Sequence, residues 1–123
     1  MVPDVRFMVE ADAELQQLTP AEQVAMRHAV EKLRALGGTL PFPHQSNVAG
    51  ANQLRELRPR AGRSRWRALF RQIGDAFVVG AIAPEASVDP RGFSRAVRAA
   101  EGRLARYVEP DTNGEAESGD DVR

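Results

Sequence analysis

A chain of 123 residues is enough for one domain and leaves little room for a second. It has no cysteine, which excludes disulfides and thiol chemistry, and no run near the roughly 18 apolar residues that cross a bilayer. The zero net charge hides a partition: residues 1–46 hold 4 basic and 6 acidic side chains, residues 47–108 hold 12 arginines and 5 acids, and residues 109–123 hold 6 acids and one arginine.

The opening segment carries Asp4, Glu10, Asp12 and Glu14 in place of a secretory apolar core, so a cytoplasmic location is expected. Residues 4–9 alternate weakly and are rich in β-formers, which predicts a first strand. A short helix follows from Asp12 to Leu18. Thr19-Pro20-Ala21-Glu22 then reads as a capping box: the Thr19 hydroxyl accepts from the backbone, Glu22 reaches back, and Pro20 takes the first helical position. Met26, Ala29, Val30, Leu33 and Leu36 recur at helical spacing until Gly37-Gly38 stops the helix.

The segment PFPHQSNVAGAN reads as a loop from its prolines, glycine and small polar residues. Three strands are predicted after it, over residues 54–58, 65–73 and 76–83, with Gly74-Asp75 as the turn of the last hairpin. The third is almost wholly apolar, as a central strand buried on both faces would be. Asp89 caps a final helix whose apolar stripe is Phe93, Val97, Ala100 and Leu104, while Arg91, Arg95 and Arg98 share another face. Residues 109–123 have no apolar content worth burying and read as a disordered acidic tail, leaving residues 1–108 as the domain. The order β-α-α-β-β-β-α, helices first and an antiparallel meander after, argues for an α+β fold.

The strand 65–73 carries the chemistry. Trp66, Ala68 and Phe70 fall on one side, as core; Arg65, Arg67, Leu69 and Arg71 fall on the other. Guanidinium groups are almost never fully buried without partners, so the arginines are expected on an open face. Spaced about 6.5–7 Å apart along the strand, they could grip successive phosphates with their planar forks. Arg55, Arg58, Arg60 and Arg63 on the neighbouring strand and turn widen this basic surface, which suits a polyanion such as RNA. The structural alternative is a solvated edge with Glu56 and Asp75 as local partners. His28 and His44 share no ligand pattern with cysteine or carboxylate, and no P-loop, dinucleotide fingerprint or G-x-S-x-G is present, so neither metal nor cofactor is expected.

Glu56-Leu57-Arg58, Trp66-Arg67-Ala68-Leu69-Phe70, the apolar strand Phe77–Ile82 and Pro90-x-x-Phe93-x-x-Ala96 occur in an order that resembles the RelE/ParE superfamily of type II toxins. The nearest branch is HigB, the phage Gp49-like toxins, and the first half agrees in layout over residues 4–106. The resemblance implies a microbial RNase-like α+β fold, with a helical hairpin packed on a small, twisted, mainly antiparallel sheet. It further implies ribosome-dependent mRNA cleavage and a cognate antitoxin of helix-turn-helix type. Arg91, Arg95, Arg98 and the acidic tail are candidate antitoxin contacts.

By the same resemblance, Arg67 matches the strand arginine that contacts the scissile phosphate, and Arg58 the Glu-Leu-Arg arginine. Arg55, Arg63, Arg65 and Arg71 join Arg58 as expected RNA contacts. The lysine pair of HigB relatives falls on Pro84 and Glu85. The RelE lysines fall on Leu54 and Glu56, its later arginine on Ser87 and its tyrosine on Phe93. Arginine cannot act as a base, so Glu56, Glu85 and His44 are the acid/base candidates. A non-cleaving ParE-like gyrase inhibitor and an inactive phage-derived interaction module are the competing readings.

Overall fold

The computed structural model describes residues 4–107; the acidic tail expected from residue 109 lies outside them. The elements are β1 (Asp4–Phe7), α1 (Val9–Gln16), α2 (Pro20–Leu36), β2 (Gln45–Asn47), β3 (Arg55–Leu57), β4 (Trp66–Ile73), β5 (Ala76–Pro84) and α3 (Pro90–Arg106). The strands form one sheet in the order β1-β5-β4-β3-β2, with β1 parallel to β5 and the other pairs antiparallel. The α+β reading therefore holds.

Each helix start follows from its local chemistry. The Thr19 hydroxyl accepts from the Glu22 backbone N–H at 3.3 Å, with Pro20 in the first turn. The reciprocal half of the capping box is not made. Glu22 instead accepts from the Ser64 hydroxyl at 2.8 Å and from Arg60 at 3.1 Å, tying α2 to the turn before β4. Asp89 caps α3 by accepting from Gly92 N–H at 2.9 Å. Helix α1 begins at Val9, three residues ahead of the start read from sequence.

One segment differs in kind. Gln45–Asn47, expected inside a loop, is a polar strand paired with β3. Its sequence shows no apolar alternation because it lies at the sheet edge. What holds it is a buried glutamine: Gln45 donates to Leu40 C=O at 2.7 Å and accepts from Arg55 at 2.7 Å.

The sheet is covered on both faces. Met26, Ala29, Val30 and Leu33 of α2 pack with Ala68, Phe70, Phe77 and Val79, where the Phe70 and Phe77 rings meet edge to face at 5.7 Å. Helix α3 packs Ala100 and Leu104 against Leu69, Val78, Ala81 and Ala83 on the opposite face. β5 is accordingly buried along almost its whole length.

A bulge between Leu69 and Phe70 in the β4–β5 register leaves Gly80 facing α3. A methyl group there would meet Leu104 Cγ at 3.0 Å and the Ala100 Cα at 3.1 Å. Gly80→Ala should therefore cost about 1–3 kcal/mol of unfolding free energy by forcing α3 off the sheet. Urea denaturation measures it, and an unchanged midpoint would show that α3 can shift freely.

Candidate functional site

Strand parity decides which side chains meet. Glu56 sits opposite Leu69 and Ser46 opposite Glu56, so both lie on the α3 face with Arg67. Arg67 stands opposite Ala83, whose small side chain leaves room for a guanidinium beyond the end of the α3 contact. Helix α3 covers Leu69 further along, and the turn Pro59–Gly62 lies beside Arg67.

Arg67 is fully buried, at 0 % exposure. Its Nη1 donates to the carbonyls of Ser64 (2.6 Å) and Trp66 (3.0 Å). Its Nη2 donates to Gly62 C=O (3.3 Å) and to Glu85 Oε2 (2.7 Å). The Nε lies 3.1 Å from Glu56 Oε1 but out of hydrogen-bond alignment, so this contact is an ion pair only. Glu56 Oε1 also lies 3.7 Å from Arg58 Nη1, and its Oε2 accepts from Ser46 at 3.3 Å. Arg58 rests over the Phe42 ring at 5.5 Å.

Burial pushes the Arg67 guanidinium below its ordinary pKa, and the Arg58 charge pushes the same way; Glu85 and Glu56 oppose both. It remains protonated. Two cations and two carboxylates thus form a locally neutral cluster, with Glu85 the more exposed carboxylate at 29 % and Glu56 at 15 %. Two neighbouring residues of the covering turn, Arg60 and Ala61, hold left-handed backbone at φ 56°, a conformation that costs a non-glycine residue on the order of 1 kcal/mol.

The open row of arginines expected on β4 does not form. Arg67 is enclosed by its ion pairs. Arg65 is exposed and lies over the Trp66 ring at 5.6 Å. At the other end of the strand Arg71 donates to Asn52 C=O at 2.9 Å. Arg55 turns to the opposite face, bonded to Gln45 at 2.7 Å and Asn47 at 2.6 Å. Arg63 is exposed and folds back on Arg60 C=O at 3.1 Å. The reason is that α3 covers this face along Leu69 and the turn Pro59–Gly62 lies against Arg67, so an arginine there is either paired and buried or displaced to an end.

Of the acid/base candidates, the structure brings Glu56 and Glu85 together on one guanidinium, while His44 sits beside Arg58, whose backbone N–H donates to the His44 carbonyl at 2.8 Å. His44 lines a cavity of about 320 Å³ against α2, with His28, Lys32, Arg58 and Arg60. Trp66 and Phe70 pack in or against the core, as their alternation predicted. The double carboxylate clamp on Arg67 was missed by sequence reasoning. Its only signal was parity, which puts Glu56 and Arg67 on one face, together with Glu85 emerging where β5 ends. Among the described residues, no group of three or more His, Asp or Glu could hold a metal ion, and no helix is long and apolar enough to cross a membrane.

Known structures share this arrangement of elements. The E. coli toxin RelE, as an arginine-to-alanine double mutant in the free state, superposes with a TM-score of 0.58 at 15% identity, covering 80% of this chain and 97% of RelE. A chain of the toxin–antitoxin complex RelBE2 from Mycobacterium tuberculosis gives 0.53 at 18% identity, covering 69% of this chain and 100% of that one. Identities this low establish the fold alone, and it is RelE-like. No curated protein matches the sequence. The family model for phage-derived Gp49-like proteins (DUF891) matches residues 13–79, more than half of the sequence, and the chain belongs to that family.

Proposed function

We propose that this protein is the toxin of a type II toxin–antitoxin pair and stops translation as a ribosome-dependent mRNA endonuclease. The observation that carries the reading is the pair of carboxylates gathered on Arg67 beside Arg58, within a RelE-like sheet. Family membership supports it as well.

Such a reaction needs the 2′-OH deprotonated and the crowded phosphate stabilised. Glu85, the more exposed carboxylate, takes the 2′-OH proton. The freed oxygen attacks phosphorus, the bond to the 5′ oxygen breaks, and that oxygen takes a proton from solvent. The products are a 2′,3′-cyclic phosphate and a 5′-OH. Arg58, at the rim of the cluster, neutralises charge on the phosphate. Arg67 acts as a positioning residue, because its guanidinium is enclosed and holds Glu56 and Glu85 in place. Arg65 and Arg63, both exposed, are the remaining RNA contacts on this side.

The implied partner is a small antitoxin of helix-turn-helix type encoded beside this gene. Induced expression in a bacterial host without that partner is the test. The expected result is growth arrest, with new transcript 5′ ends mapping inside codons. Arrest accompanied by DNA-damage signalling and no new ends would favour gyrase as the target. Unimpeded growth with soluble protein present would refute the toxin reading altogether.

A further inference from the structure

The arginine face expected on the final helix is open in the structure. Arg91, Arg95 and Arg98 are all exposed and line a groove of about 360 Å³ with Pro90 and Ser94, a groove that includes no carboxylate. Their spacing of four and three residues puts them on one side of the helix. The other arginines of α3 are used internally: Arg103 pairs with Glu14 at 3.0 Å and Arg106 with Glu10 at 2.6 Å. Among the described residues no ion pair engages Arg91, Arg95 or Arg98.

Arg95 also lines a second groove of about 390 Å³, together with Arg65, Trp66, Pro84, Asp89 and Gly92. The carboxylates there already have partners, since Asp89 caps Gly92 and Glu14 holds Arg103. Arg95 therefore joins the two grooves into one strip that begins at Arg91 and Arg98 and ends at Arg65. The strip ends one backbone pairing away from the carboxylate cluster, since the Arg65 carbonyl accepts from the Glu85 backbone N–H at 2.7 Å.

We propose that this strip docks the phosphate backbone of an RNA duplex and so presents a neighbouring strand to Glu85; the inference rests on the mRNA-cleaving reading above. Three exposed like charges within about 10 Å of helix repel one another, and a polyanion relieves that repulsion. Guanidinium forks match phosphate oxygens in pairs. Protein interfaces are anchored by large apolar or aromatic side chains at their centre, and none of the large exposed apolar residues lies on α3.

The test compares the full-length wild type with the R91Q/R95Q/R98Q variant by fluorescence anisotropy on a short fluorescein-labelled RNA duplex over a range of salt. At about 50 mM salt the variant should bind about 30-fold more weakly. Its dependence of log affinity on log salt should flatten by about 2–3, one unit for each phosphate that is no longer neutralised. Equal affinity and slope would overturn the proposal. So would intact RNA binding combined with failure to bind the antitoxin, because the strip would then belong to a protein partner. A wild type that binds the duplex but never arrests growth would keep the docking surface and sink the toxin reading. Arrest by a wild type that does not bind the duplex would do the reverse.

Discussion

Arg67→Ala is expected to lower the unfolding free energy by about 3 kcal/mol. The guanidinium is the one group that compensates both Glu85, at 2.7 Å, and Glu56, at 3.1 Å, and it also satisfies the carbonyls of Gly62, Ser64 and Trp66. Removing one partner of a buried ion pair costs roughly 3–5 kcal/mol because the remaining charge is left uncompensated. The lower end applies here, since Glu85 is 29 % and Glu56 15 % exposed and water screens them in part. Adding Glu56→Gln and Glu85→Gln to Arg67→Ala should restore part of the stability, because neutral amides do not repel each other. Urea unfolding of the single and triple variants measures both effects. A single variant as stable as the wild type would show that the cluster contributes nothing to the fold.

Glu85→Gln should reduce mRNA cleavage by about 100-fold or more while shifting stability by less than about 1 kcal/mol. The amide keeps an oxygen that can still accept from Arg67, so the packing of the cluster is preserved, but it cannot take a proton. Glu56→Gln should have a smaller effect, about 10-fold, because Glu56 acts by holding Arg58 and Arg67. The measurement is primer extension on mRNA cleaved by purified protein on programmed ribosomes. If Glu85→Gln cut within about 3-fold of the wild-type rate, the base would have to be sought elsewhere, and the assignment of Glu85 would be wrong.

Much of the fold was written locally. The Thr19 and Asp89 caps and the glycine stop at Gly37 set the ends of α2 and α3, and β4 alternates as its sequence implies. The continuous apolar run of β5 announced burial on both faces. That burial already required a helix over the second face, and such a cover is incompatible with an open row of arginines on β4. Periodicity shows which side chains share a face. It does not show whether that face meets solvent, because this depends on where a later element packs.

The short β2 was illegible for a related reason. Its stability comes from the hydrogen bonds of Gln45 to Leu40 and Arg55, which leave no periodic trace. The meeting of Glu56, Arg67 and Glu85 also escaped the sequence, because Glu56 on β3, Arg67 on β4 and Glu85 just past β5 are brought together by antiparallel register and by the turn over residues 59–62.

By itself, then, the sequence determined the class of fold, the helix ends, the pairing order of the last three strands and the wealth of arginine in the middle of the chain. All of these depend on backbone preference and on the spacing of apolar groups within one segment. Only the tertiary structure decided what the arginines do. Docking of α3 took up this face of the sheet along Leu69, and beyond it the turn Pro59–Gly62 lies against Arg67, whose guanidinium is held by Glu56 and Glu85 because a charge removed from water must find an opposite charge. The same docking turned Arg91, Arg95 and Arg98 outward, leaving them where a polyanion can reach them.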